Sequence, residues 1–460
     1  MGGCYEDFLR TKDNSAAPAG FTPAGEINPK LFGFQGDVVR WGLGRGRAAA
    51  FLDCGLGKSA IELEWGRQVA EHVGKPVLML TPLAVAKQMG REAEKFGVPI
   101  KVCRTAEDAT GDSINVLNYE RMAGLDPSDF GGIVLDESSI LKSYEGRTRK
   151  LITDFARTIP FRLAATATPA PNDMEELGTH AEFTDAMTRK EMLAQFFTQD
   201  GNNASKFRLK GHAVRPFWRW MASWAVAMRR PSDLGHDDAG FILPELRIHD
   251  VQVSSPLAAG TLFAVDSLSL QERRDARRNS LDARADATAG LVERGPYEPW
   301  LLWCDLNAEA EALTDRIPDA VEVRGSESAE AKEEKLEAFS AGEIRVLVTK
   351  PTIAGFGLNW QHCSNMAFCG LSDSYEQQYQ AIRRCWRFGQ RRPVDVYFVS
   401  SEAEGAVVDN VRRKERQAAE MFDQIVAHMG EFSIGRQRRD HADYAPSMPM
   451  ILPSWLEPVA

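Results

Sequence analysis

Absences narrow this chain first. No run of eighteen uninterrupted apolar residues occurs, so no membrane-crossing helix and no membrane partner are expected. The opening Met1-Gly2-Gly3-Cys4-Tyr5-Glu6 has no apolar secretory core, and Glu6 stands where a myristoylation signal needs serine or threonine. Cysteine is scarce: seven residues, an odd number, widely spaced and without a Cys-x-x-Cys pair. That excludes a disulfide scaffold and fits reduced thiols in a cytoplasmic setting. The eight histidines show no ligand spacing with the cysteines, so no structural zinc is expected. Basic excess is missing too. Sixty-five acidic against fifty-five basic residues give a net charge of −10, which excludes a histone-like polycation. Any nucleic-acid contact must come from local patches.

What is present is globular. The chain is 43% hydrophobic and 26% charged. Its 460 residues suggest two or three domains at roughly 100–200 residues each. Val-, Ile- and Leu-rich runs predict strands at 48–52, 77–81, 113–117, 132–135 and 161–165, then at 300–304, 321–323, 345–349, 365–369 and 394–399. Helical patterns separate them, so each series reads as a doubly wound parallel sheet. Between the series, residues 205–230 hold seven Lys or Arg and no acid, interleaved with Phe207, Phe217, Trp218, Trp220 and Trp224. This suits a nucleic-acid surface through Lys206, Arg208 and Lys210; it equally suits a helix that packs its tryptophans on lobe one with arginines in water. Residues 271–294 alternate arginine with acids, the pattern of a solvated helix.

A phosphate site is legible in Asp53-Cys54-Gly55-Leu56-Gly57-Lys58-Ser59, between a strand and a helical pattern. Gly55 and Gly57 let the backbone amides curl round an anion, and the helix adds its positive end. Lys58 suits β- and γ-phosphates, and the Ser59 hydroxyl suits Mg²⁺. Leu52 occupies the place of the first glycine in the strict motif. The complementary carboxylates are Asp136, for Mg²⁺, and Glu137, to orient and deprotonate water; they lie about eighty residues on, with room for two crossovers.

Reading outward from these residues, the series resembles superfamily 2 helicases, and it looks most like Swi/Snf-type DNA translocases of a compact bacterial or phage kind. The resemblance covers about residues 30–425. It rests on Phe34-Gln35, Leu80-Thr81-Pro82, Asn118-Tyr119-Glu120, Asp136-Glu137-Ser138-Ser139, Ala165-Thr166-Ala167-Thr168-Pro169, Ala354-Gly355-Phe356-Gly357-Leu358-Asn359 and the block from Gln380 to Gln390. Ser139 stands where the family has histidine, and Ser372-Asp373-Ser374-Tyr375 replaces its Trp-Asn-Pro. The implied fold is α/β: two RecA-like doubly wound lobes with a helical, basic-aromatic insertion. The division is a segment 1–29, lobe one at 30–185, insertion and linker at 186–243, lobe two at 244–430 and a tail at 431–460.

The resemblance implies ATP and Mg²⁺ as cofactors. Gln35, Gly355 and Gly357 would join the phosphate loop in binding ATP, and Arg384 and Arg387 would reach the γ-phosphate. Thr166, Thr168 and Gln380 would couple the lobes, while Thr81 and Asn118 would touch nucleic acid. The expected activity is ATP-driven movement along duplex DNA, with RNA left open. Three alternatives stand beside it. One is a strand-separating DNA or RNA helicase. Another is the motor of a restriction–modification-type complex, its partner a methyltransferase or a nuclease; a replication protein is a separate candidate partner. The last is a binding module with a decayed nucleotide site.

Overall fold

The computed structural model describes residues 16–82, 85–109, 111, 113–143, 145–200, 203–254, 277–354, 358–370, 372, 374–401 and 405–429. The first sheet uses β1 (Arg47–Leu52), β2 (Val77–Thr81), β3 (Ile100–Val102), β4 (Ile114–Asn118), β5 (Gly132–Asp136) and β6 (Phe161–Thr166). Next come β7 (Phe197–Asp200), β8 (Asn203–Leu209) and β9 (Ala225–Met228). The second sheet uses β10 (Leu246–Val253), β11 (Trp300–Trp303), β12 (Ala320–Glu322), β13 (Val346–Thr349), β14 (Asn365–Cys369) and β15 (Val394–Ser401). The orders are β3-β4-β2-β5-β6-β1-β9 and β10-β15-β14-β11-β13-β12, and β7 and β8 form a separate antiparallel hairpin. Both large sheets are parallel throughout. Strands β2, β4, β5 and β6 are buried at every residue, as a sheet covered on both faces requires. The fold is therefore α/β with two RecA-like lobes. Among the described residues no helix is long and apolar enough to cross a membrane.

The 186–243 stretch is not a separate helical insertion. Its strand β9 extends the first sheet beside β1, with Ala49 opposite Ala225. Phe217, Trp218, Trp220 and Trp224 all lie in the lobe-one core. Each such ring removes roughly 150–250 Å² from water, which outweighs any surface role for so many aromatics. Helix Val214–Ala222 turns the first three inward while Arg215 and Arg219 stay exposed.

Helix Leu281–Arg294 also departs from expectation. Its outer acids Asp282 and Asp286 bind Arg316, but its inner face buries Ala285, Leu291 and Val292 together with Arg284. The 3.6-residue spacing of small apolar side chains seats that face on the sheet; residues 271–276 lie outside the described part.

Helix Gly405–Met429, expected within lobe two, crosses back. Met421, Phe422 and Ile425 enter the lobe-one core, and Arg229 of lobe one pairs with Asp423. Nearer the helix start, Arg412 pairs with Asp250 of β10. The tail at 431–460 lies outside the described residues.

His180, on helix Leu177–Phe183, is fully buried, and its Nε2 lies 3.1 Å from the Ser138 hydroxyl. Burial pushes its pKa down to about 4. The unfolded chain takes up this proton near pH 6.5 and the folded chain does not. Stability is therefore full above 6.5 and falls by about 3 kcal/mol as pH drops to 4. Urea midpoints across this range should fall in the wild type and fall less in His180→Gln. Equal slopes would remove His180 as the cause.

Candidate nucleotide site between the lobes

The phosphate loop leaves β1 and enters helix Lys58–Val73. Gly55 and Gly57 sit at φ +92° and +76°, where a side chain is strained. A Cβ on Gly57 would fall 2.3 Å from the Gln35 amide nitrogen. That nitrogen donates to the Leu56 carbonyl at 2.9 Å, and the Gln35 side-chain oxygen accepts the Phe32 amide at 3.0 Å. Gln35 thus holds the loop in shape. Lys58 donates to the Leu52 carbonyl at 3.1 Å. Burial works against its ammonium, but Cys54, Glu137, Asp136 and Asp53 outweigh it and raise the pKa.

Opposite Lys58, β5 ends at Asp136, whose carbonyl accepts the Tyr119 hydroxyl at 2.6 Å. Burial first, then Glu137, push the Asp136 carboxyl up to about 7, against the pull of Lys58. Glu137 takes a left-handed φ of +55°, a strained conformation for a side-chain-bearing residue and one that gathers at functional sites. Its carboxylate accepts the Thr166 hydroxyl at 3.3 Å and, from lobe two, the Gln380 amide at 3.4 Å. Thr166 in turn accepts the Thr168 amide at 3.1 Å, and the Thr168 hydroxyl donates to Glu376 at 3.5 Å. Glu376 also forms an ion pair with Lys142. The three coupling residues read from sequence therefore meet at one seam between the lobes. Lys142 and Glu376 join them there.

Lobe two supplies the arginines. Helix Tyr375–Ile382 leads into Arg384, which donates to Gln380 Oε1 at 2.9 Å and to the Leu358 carbonyl at 3.1 Å. Arg387 donates to the same carbonyl at 3.2 Å, and its buried Nε has no partner. Burial and the adjacent Arg384 push the Arg387 pKa down to about 10. A desolvated cation with a spare donor is an environment that an anion relieves. The cleft holds about 280 Å³ between the phosphate loop, Glu137 and the two arginines. At one end Phe241 lies 5.0 Å from Phe32 and 4.9 Å from Phe388, a stacking surface from both lobes.

The donor set fits magnesium. Ser59 and Asp136 line the cleft with hard oxygens. Glu62, one turn along the helix from Lys58, is fully buried with both carboxyl oxygens unpartnered. Burial, then Asp136, raise its pKa well above the ordinary range. Sequence reading missed Glu62; its signal was an acid four residues after Lys58, on that residue's face of the helix. Among the described residues no group of three His, Cys, Asp or Glu could hold a metal ion. Mg²⁺ binds through one or two carboxylates plus substrate phosphates, the kind of oxygen donors that Ser59 and Asp136 offer.

Other expected residues lie apart. Thr81 ends an interior strand with its hydroxyl fully buried and unpartnered, so it is no surface contact in this conformation. The Asn118 side chain accepts the Glu120 amide at 2.8 Å and caps a turn. Lys210 donates to the Ala194 and Gln195 carbonyls at 2.7 and 3.0 Å, closing the end of helix Arg189–Phe196. Capping a helix C-terminus is a favourable local use of a cation. Arg208 is exposed on β8. The Lys206 side chain, Gly355 and Gly357 fall outside the described part.

Residues 288–389 match the family model of the helicase conserved C-terminal domain. No curated protein matches the chain. The matched segment is RecA-like; it begins within helix Leu281–Arg294, takes in β11 to β14 and ends just past Arg387. It supports a superfamily 1 or 2 helicase, and it indicates a helicase-type, nucleic-acid-dependent ATPase.

Proposed function

We propose that this chain, whose second lobe carries a helicase C-terminal domain, is a superfamily 2 ATP-dependent translocase moving along duplex DNA. One observation carries the reading: Arg384 and Arg387 of lobe two line the same cleft as Lys58, Asp136 and Glu137 of lobe one. Phosphoryl transfer needs this composition, because its transition state spreads negative charge over the phosphoryl oxygens.

Lys58 and the loop amides hold the β- and γ-phosphates. Ser59 and Asp136 would hold magnesium, which when bound draws charge from the phosphoryl oxygens. Glu137 orients the attacking water and accepts its proton. Arg384 and Arg387 neutralise the oxygens as the bond breaks. Phe32, Phe241 and Phe388 stack on the base. Gln380, touching Glu137, and Glu376, touching Thr168 and Lys142, transmit the state of the nucleotide to lobe two. Cycles of closing and opening then move the lobes along the backbone. Contacts of that sort are chiefly to phosphates, so sequence preference is weak and salt dependence strong.

The test is ATP hydrolysis by the purified chain with no polymer, single-stranded DNA, duplex DNA or RNA, and Lys58→Ala as the blank. Duplex DNA should stimulate most. Stimulation chiefly by single strands would replace the reading with strand separation. Equal rates for Lys58→Ala and wild type would remove the nucleotide site itself.

A further inference from the structure

Lobe two grips the phosphate loop through a carboxylate that no step above uses. Asp53 opens the loop, and its Oδ1 accepts the Cys54 amide at 2.7 Å, bending the chain into its turn. The same carboxylate takes two donors from lobe two: the Tyr379 hydroxyl on Oδ1 and the Arg383 guanidinium on Oδ2. The Arg383 and Asp53 side chains are only 8% and 15% exposed. Arg383 is itself braced, its guanidinium 4.3 Å from the Trp386 ring centre and 5.3 Å from that of Tyr379. Two residues further along the loop the backbones also close up. A Cβ on Gly55 would stand 3.0 Å from the Phe388 amide nitrogen.

We propose that Arg383 and Tyr379 are positioning residues that register Arg384 and Arg387 on the phosphate loop through Asp53. The proposal rests on the two-lobe ATPase reading. Arg384 follows Arg383 directly, and consecutive Cα atoms lie a fixed ~3.8 Å apart. Anchoring one therefore fixes the start of the other. Asp53 shapes the loop through the Cys54 amide and receives lobe two on the same side chain. Loop geometry and arginine placement are in this way one arrangement. Arg383 meets a side chain of the loop and does not line the cleft, so it acts on the rate and leaves nucleotide affinity alone. A displacement of about 1 Å in a reacting geometry costs on the order of 10²-fold.

The full chain is assayed with its best-stimulating nucleic acid as wild type, Arg383→Ala, Asp53→Asn, Tyr379→Phe and the double variant Asp53→Asn/Arg383→Ala. The rate of ATP hydrolysis, the KM, equilibrium ADP binding and the melting temperature are read for each. Arg383→Ala should lower kcat about 10²-fold, with KM and ADP affinity held within about threefold. Asp53→Asn should lower kcat similarly, and the double variant no further than the worse single, because all three disrupt one contact. Losses that multiply in the double variant overturn the proposal, and so does an Arg383→Ala kcat within about threefold of wild type. Should the charge variants melt early, Tyr379→Phe decides. It deletes one hydroxyl, and a several-fold fall in kcat supports the clasp while an unchanged kcat overturns it. A wild type that hydrolyses no ATP overturns the two-lobe reading together with the clasp. An active wild type with an indifferent Arg383→Ala overturns the clasp alone.

Discussion

Arg387→Ala is expected to lower ATP hydrolysis by roughly 10³–10⁵-fold while nucleotide binding persists. That is about 4–7 kcal/mol of lost transition-state stabilisation. The magnitude follows from how the side chain is held. Its guanidinium lies against a second arginine, with its pKa pushed down to about 10 by burial and by that neighbour. One donor reaches the Leu358 carbonyl, and Nε has no partner. Such a cation is poorly solvated before the phosphate arrives, so little water must be reorganised as charge develops. ADP titration should give a near-normal affinity, because Lys58 and the loop amides are untouched. Arg387→Lys should recover only part of the rate, since a lysine keeps the charge and loses the planar fork. Normal turnover in Arg387→Ala would take this residue out of the site.

The second large effect lies in lobe two, away from the cleft. Arg284 and Glu309 are both fully buried and paired at 2.8 Å. Arg284 also donates to the carbonyls of Cys369 at 2.9 Å and Arg277 at 2.7 Å. Glu309 accepts the amides of Asp305 and Leu306 at 2.9 and 3.0 Å, fixing the start of helix Asn307–Arg316. Glu309→Gln keeps the shape and removes the charge, leaving a guanidinium uncompensated in the interior. The expected loss is about 3–5 kcal/mol, the usual cost of removing one partner of a buried pair. Urea unfolding should show the lobe-two transition moving to lower denaturant. A double replacement, Arg284→Met with Glu309→Gln, should recover much of it, because neither charge of the pair then remains to be desolvated and the glutamine oxygen still accepts at the helix start. An unmoved transition in Glu309→Gln would mean that the remaining acceptors suffice for Arg284.

The legible parts of this protein are those set locally. All ten apolar runs became strands, because a parallel sheet covered on both faces demands continuous apolar sequence. The strands left unseen are short, on an edge or outside the sheets. Three-residue β3 is largely exposed, and edge strand β10, Leu246–Val253, has no fully buried residue. β9 was concealed by its setting. Interleaved arginine and tryptophan describe a nucleic-acid surface and a buried stripe with solvated arginines equally well, and only packing separates the two. Glu62 and Asp53 were hidden for another reason. Glu62 matters because its helix face meets Asp136, and Asp53 because residues 330 positions away fold onto it. The spacing from Lys58 puts Glu62 on the right helix face but does not report Asp136 opposite it, and nothing in the motif reports the partners of Asp53.

The helix that crosses back from lobe two has a kinematic consequence. The lobes are joined by the chain leaving β9 and again by Gly405–Met429. A body hung from one flexible strand keeps three rotations; a body held at two separated points keeps chiefly the swing about the line between them. An opened cleft therefore returns to register by a search in one angle. The arginines stay at high effective concentration over the phosphate loop throughout, as they would on a short tether. Successive openings of the cleft therefore follow one path.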